Sequence, residues 1–196
     1  MQRRWLAAGL VMAALPVAIL VSIATGALAS PQAAAAGQTR TINHVTLYGF
    51  PDNSPPGNGT AFGSGHAGGV GTFGDPTTFA TDQHEFAPGT LIYYPFLQRY
   101  FVMQDECVEC DADFNNGISH IDLWVGGTAS SNSSAVIACE DNLTRDNMQI
   151  IVNPGPNEPV FNNGQGGVIF QNGQCNAPGG GGGGGGSGNT GPSGGS

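Results

Sequence analysis

The sequence predicts a mainly β domain, a small barrel or sandwich, framed by segments with no core of their own. Three observations lead there. Short runs of alternating apolar and polar residues recur through the middle of the chain, clusters of Gly, Pro and Asn punctuate them, and no stretch of that region sustains a 3.6-residue apolar period. Many short strands separated by turns are the signature of a small barrel or sandwich.

The elements follow in chain order. Residues 1–29 read as a secretory signal peptide. Arg3 and Arg4 form a basic start, an apolar run extends from Trp5 to Ile23, and Ala27-Leu28-Ala29 supplies the small residues after which a signal peptidase cuts. The competing reading is a membrane anchor, because the apolar run approaches the length of a bilayer span. Residues 30–40 read as a short disordered lead-in. Residues 41–177 read as one domain, a length that supports one core and not two. Within it, residues 45–48, 90–94, 99–103 and 119–125 alternate as half-buried strands do. Residues 135–138, 149–152 and 168–170 are shorter strand candidates, and 79–85 and 141–147 have room for a helical turn or two. Residues 53–74, rich in Gly, Ser, Pro and Asn, form a long loop, and long loops inside compact domains tend to be functional. Their glycines let backbone approach a ligand, but no Lys follows them at the spacing of a phosphate loop. Residues 178–196 are almost wholly Gly, Ser, Pro, Asn and Thr and read as a disordered tail or linker.

Charge narrows the partners. Beyond residue 29 the cations are Arg40, Arg99 and Arg145, with no lysine, against all 14 acidic residues, a net charge of −11. Nucleic acid and anionic membrane surfaces repel such a chain, so neither is expected as a partner once the signal is removed. Neutral cell-wall polysaccharide remains the most compatible class, with the protein expected to be a secreted monomer. Asn58-Gly59-Thr60, Asn132-Ser133-Ser134 and Asn142-Leu143-Thr144 fit the N-glycosylation pattern, which matters in a eukaryotic host.

Cys107, Cys110, Cys139 and Cys175 are an even set in a chain read as secreted, and they imply two disulfides with three pairings open. Cys107-x-x-Cys110 as half of a zinc site lacks a second pair, and as a redox motif it lacks an evident helix after it. His44, His66, His84 and His120 complete no zinc spacing, so no metal and no cofactor are expected.

The chemistry is expected at His120-Ile121-Asp122-Leu123-Trp124. A carboxylate among apolar neighbours in a strand is costly unless it is paired or used. Asp105 and Asp75 join it as acidic residues at predicted strand ends. Each has a plainer reading. Asp122 ties a strand end to backbone amides, Asp105 opens an acidic loop over residues 105–113 that lacks EF-hand spacing, and Asp75 before Pro76 caps a turn. Tyr48, Tyr94, Tyr100 and Trp124 are candidates for stacking on sugar rings or for the core.

Two sets of motifs resemble known families. Thr46-Leu47-Tyr48-Gly49 and His120-Ile121-Asp122-Leu123 resemble the motifs that open and close the barrel of expansins and family-45 endoglucanases. Gly74-Asp75-Pro76, residues 88–93, Asp105 and Ile121-Asp122 resemble the three-aspartate domain of membrane-bound lytic transglycosylase A and related bacterial wall proteins. The resemblance spans residues 45–126. It implies an all-β fold, a six-stranded double-psi β-barrel with long Gly-rich loops and disordered termini. It also implies a secreted protein that binds or cleaves a β-linked wall glycan, peptidoglycan or cellulose-like, in a barrel groove. By the same resemblance Asp122 is the general acid with Asp105 its partner, and Tyr48, Asp52, Asp75, His120 and Trp124 bind substrate. An acid that protonates a glycosidic oxygen needs a raised pKa. The chain departs from the families in three ways: Asp52 is not at the offset of an endoglucanase base, the cysteine pattern is not that of plant expansins, and the second β-sandwich of expansins is missing. The alternatives are a non-catalytic, expansin-like wall-binding or wall-loosening module and a secreted effector or inhibitor scaffold.

Overall fold

A computed structural model describes residues 37–63, 65–161 and 167–178. The expected signal peptide, residues 30–36 of the lead-in and residues 179–196 of the tail lie outside these residues. The elements are β1 (Gln38–Phe50), β2 (Thr77–Ala80), β3 (Leu91–Tyr94), β4 (Arg99–Asp105), α1 (Val108–Asn115), β5 (His120–Gly127), α2 (Ser133–Leu143), β6 (Arg145–Val152), β7 (Phe170–Gln171) and β8 (Gln174–Cys175).

Six strands close into a barrel in the order β1-β6-β3-β4-β2-β5, with β5 returning to β1. The fold is therefore the mainly β, six-stranded barrel that the sequence predicts. Two seams are parallel, β1 with β5 and β2 with β4, and the other four are antiparallel. Parallel neighbours cannot be joined by a tight hairpin. Long connections therefore separate the parallel-paired strands, and α1 and the loop of residues 53–74 lie between β1 and β5.

Alternation decides what faces the interior. In the β1–β5 seam Val45 pairs with Ile121 and Leu47 with Leu123, and all four are buried in the core. Ile42, Phe79, Ile92, Tyr94, Phe101, Met103 and Ile150 complete the interior, each fully buried. Burying one such side chain stabilises the fold by roughly 1.5–3 kcal/mol, and a one-residue slip of either strand would reverse its faces. The opposite face of the same seam carries the pairs Thr46 with Asp122 and Tyr48 with Trp124. The register shifts after Tyr48, where Gly49 meets Gly126 and Phe50 meets Gly127. Gly127 adopts φ +93°, and a methyl group there would overlap the Phe50 carbonyl oxygen.

Several local expectations are corrected. β1 begins at Gln38, so the last residues of the lead-in pair with β6. Residues 135–138, read as a strand, lie in α2, and residues 79–85, read as a helical turn, finish β2 and enter a non-helical turn. Helix α2 starts on Asn132, whose side chain accepts from the Ala135 amide at 3.0 Å, and it buries Val136, Cys139, Glu140 and Leu143 on one stripe. A short apolar run cannot distinguish strand from buried helix by period alone. The acidic stretch read as a loop over residues 105–113 holds α1, with Cys107 as N-cap and Glu109 and Asp111 in its first turn, where carboxylates suit the helix dipole. That helix buries only Cys110, so it has no apolar stripe to announce it.

The cysteines form Cys107–Cys110 and Cys139–Cys175, resolving the three open pairings. The second bond ties α2 to β8.

Candidate active site on the outer face of strands β1 and β5

Parallel pairing of β1 and β5 brings Thr46, Tyr48, Asp122 and Trp124 together on one outer patch. Thr46 Oγ1 donates to Asp122 Oδ1 at 2.8 Å. The same oxygen lies 2.9 Å from His120 Nε2, and His120 Nδ1 lies 2.8 Å from Asp113 Oδ2. A hydroxyl has one proton to give, so Thr46 accepts from Nε2–H when it donates to Asp122. The Nδ1 contact with a carboxylate needs a second proton. An imidazolium satisfies both bonds, as does moving one proton along the chain to a carboxyl. Asp113, His120, Thr46 and Asp122 thus form a relay that ends on Asp122.

Asp122 is half-buried, and its pKa is raised to about 7. Burial is the main cause. The Thr46 hydrogen bond opposes it, and the nearby charges of Glu109 and Asp105 add to it. Tyr48 donates its hydroxyl to Asp105 Oδ2 at 3.1 Å, and its ring packs edge-on against Trp124 with centroids 5.2 Å apart. Burial, then the charges of Asp105 and Asp122, hold the Tyr48 phenol protonated well above its usual range. Asp105 Oδ1 accepts from the amides of Ala61 (2.9 Å) and Glu106 (3.0 Å), so both of its oxygens have partners.

A second carboxyl pair adjoins the patch. Glu140, on the buried stripe of α2, is 8 % exposed, and its Oε1 has no hydrogen-bond partner. Its pKa is raised to about 8, first by burial, then by the charges of Asp52 and Asp122 and by a hydrogen bond that a proton shared with Asp52 would form.

Beyond Trp124 the outer face of β5 opens into a recess of about 680 Å³. Asn58, residues 67–70, Asp75, Trp124, Gly126, Ser131, Asn132 and Asn172 are among the residues that line it. Among the described residues Asp75 is the only charged one on its walls. Alternate residues of a strand stand about 6.5–7 Å apart, so Asp122 and Trp124 share the outer face of β5, and Trp124 lines the recess. Buried Arg99 fastens the wall from behind. It donates to the carbonyls of Val70 (3.2 Å), Gly167 and Asn176 (3.3 Å), and burial pushes its pKa down to about 10.

The structure thus brings together five expected residues, Tyr48, Asp105, His120, Asp122 and Trp124. Asp52 is exposed and reaches the site through Glu140, while Asp75 lies away from the acid, on the recess wall, in a turn where its amide donates to Thr72. His120 is buried, and both its ring nitrogens are engaged within the protein, on Thr46 and Asp113. Trp124 is 5 % exposed, too enclosed to present a full ring face. Tyr94 and Tyr100 belong to the interior. Glu140, Asp113 and Arg99 escaped the sequence reading. With residues 133–143 recognised as a helix, Glu140 falls four positions after Val136 on the buried stripe, a signal that flags a buried carboxyl.

Residues 39–176 match the family model of the DDB_G0273701 N-terminal domain. A Dictyostelium discoideum protein, the uncharacterised DDB_G0273701/DDB_G0273221, is 33% identical over 120 residues, which cover 60% of this chain and 52% of that protein. The chain therefore spans about half the length of this relative. No solved structure matches the chain.

Proposed function

We propose that this chain, which belongs to the DDB_G0273701 N-terminal domain family, is a secreted glycan-active barrel that cleaves a β-linked wall polysaccharide with Asp122 as general acid. The observation that carries the reading is the placement of Asp122. Its carboxyl, raised to about 7, ends a hydrogen-bonded relay and shares the outer face of β5 with Trp124, which lines a recess walled by amides, hydroxyls and glycine backbone. A glycosidic oxygen leaves only when protonated, and an acid titrating near neutrality holds its proton at working pH and can still give it up. His120 returns the proton through Thr46. The Asp105 carboxylate, fixed by Tyr48 and two amides, faces the positive charge that develops on the sugar ring. The motif resemblance to expansins and lytic transglycosylases supports the substrate class. The signal-like residues 1–29 and the two disulfides support an extracellular setting.

One observation favours a second reading, a non-catalytic wall-binding module: both Asp105 oxygens are occupied, which leaves that carboxylate poorly placed to activate water. Incubation of the protein with peptidoglycan, cellulose and chitin separates the two. Soluble oligosaccharides seen by mass spectrometry and lost in Asp122→Asn support cleavage, with anhydro-muramyl ends indicating a lytic transglycosylase and reducing ends a hydrolase. Pull-down of the polysaccharide without products, unchanged in Asp122→Asn, would replace cleavage by binding.

A further inference from the structure

We propose that Cys107–Cys110 is an exchange-active disulfide, a thiol–disulfide site whose substrate is a disulfide in a neutral or basic polypeptide. This proposal is independent of the glycan reading. The sequence lacks an evident helix after the Cys-x-x-Cys pair, but the structure supplies one. Cys107 is the N-cap of α1, and its Sγ accepts from the Cys110 amide at 3.1 Å. That is the position at which a helix N-terminus stabilises a thiolate. His120 stands beside the pair, with a ring nitrogen and the two sulfurs all within 4.8 Å of one another. The imidazole is thus the nearest titratable side chain shown beside the pair, held in place by Thr46 and Asp113.

Exposure divides the labour. Cys107 is 6 % exposed and flanked by the exposed Glu106 and Val108, whereas Cys110 is sealed at 0 % behind it, against Ala80 and Tyr48. The less enclosed cysteine is the one whose sulfur carries the helix N-terminal hydrogen bond, as a nucleophile requires, and the fully enclosed cysteine is positioned to resolve. Cys139–Cys175 has no such setting. It closes a 36-residue separation between α2 and β8 and staples the fold. The charges around the pair define the partner. Glu106 and Glu109 are exposed beside Cys107, with Asp105 and Asp111 nearby and Asp113 on the far side of His120. This acidic rim works against anionic glutathione and favours an uncharged or cationic peptide.

The chemistry balances without another group. The Cys107 thiolate attacks one sulfur of R–S–S–R′, forming the Cys107–S–S–R bond and expelling R′S⁻, which takes up a proton. Cys110, as its thiolate, then attacks Cys107 Sγ, re-forming the intramolecular bond and expelling RS⁻. Two electrons pass from the dithiol to the substrate, and an external thiol such as dithiothreitol restores the dithiol.

The test equilibrates the full chain in dithiothreitol buffers of graded potential, traps free thiols with iodoacetamide and locates them by peptide mass spectrometry. Cys107–Cys110 should open while Cys139–Cys175 stays closed and circular dichroism is unchanged. Reduced Cys107 should alkylate about tenfold faster than Cys110 and reduce a basic peptide disulfide about tenfold faster than oxidised glutathione. Cys110→Ser should trap a mixed disulfide with the basic peptide and Cys107→Ser should not. The proposal is overturned if both bonds open together only on unfolding, or if the two thiols alkylate at one rate. It is also overturned if the reduced protein takes up added Zn²⁺ tightly enough to block alkylation, which would make the trio a metal site. The potential titration uses wild-type protein, so it decides even where a cysteine variant does not fold.

Discussion

Asp122 keeps one protein hydrogen bond, from Thr46, in place of the water that surrounds an exposed carboxylate, and its proton affinity rises accordingly. Two predictions belong to this scale. Cleavage rate should fall as pH rises through about 7, the value to which Asp122 is raised, and Asp122→Asn should lower it by at least about a hundredfold. A rate that stays flat from pH 6 to 8 would remove Asp122 as the acid. Stability should follow the same groups. The folded-state pKa values of Asp122, about 7, and Glu140, about 8, lie above the ordinary carboxyl range, so the folded state binds their protons more tightly than the unfolded chain does. Their favourable contribution is complete below about pH 4 and is lost as pH rises through the folded values. Urea unfolding should show a loss on the order of 2–3 kcal/mol per group between pH 5 and pH 8, flattened in Asp122→Asn and Glu140→Gln. Parallel curves for variants and wild type would refute this. Asp122 was legible in the chain because it stands between Ile121 and Leu123 in an alternating strand, where a carboxylate is costly unless it is paired or used. Glu140 was not, because its apolar surroundings come from other elements.

The β1–β5 seam is the element that makes the site, and its register depends on one crowded point. Gly127 has left-handed φ against the Phe50 carbonyl, so Gly127→Ala should destabilise the fold by about 2 kcal/mol or more and displace Gly126 in the recess lining. A thermal midpoint within a degree of wild type would contradict that. Strands were easier to read than helices for a physical reason. Where a strand buries one face, as β1 does over residues 45–50, a period of two is written into a few residues. Helix α1 packs little more than Cys110, and α2 shows its stripe only over its full eleven residues.

At the scale of the molecule, a buried arginine and a disulfide hold together segments far apart in the chain. Arg99 fixes three backbone carbonyls from separate loops. A lysine offers one compact ammonium in place of a planar fork, so Arg99→Lys should cost about 3 kcal/mol. It should also speed hydrogen exchange of the recess loop at residues 67–72, and unchanged exchange there would show that the loop holds itself. The two disulfides should differ in weight. By the chain-entropy model, Cys139–Cys175 closes enough chain to contribute roughly 4 kcal/mol and Cys107–Cys110 roughly 2. Replacing Cys139 and Cys175 by Ser should therefore lower the melting temperature more than replacing Cys107 and Cys110, and the reverse order would refute the assignment of the long bond as the staple.

Fold class, the strands that flank the site and the exceptional position of Asp122 were determined by the sequence alone. Each rests on local alternation, which a few consecutive residues express whatever lies elsewhere. The disulfide pairing, the meeting of Glu140 with Asp52, the turning of His120 inward onto Thr46 and Asp113, and the clamp of Arg99 on the recess were decided only by tertiary structure. Barrel closure joins residues tens of positions apart, and no local pattern encodes which side chains it will bring within hydrogen-bonding distance.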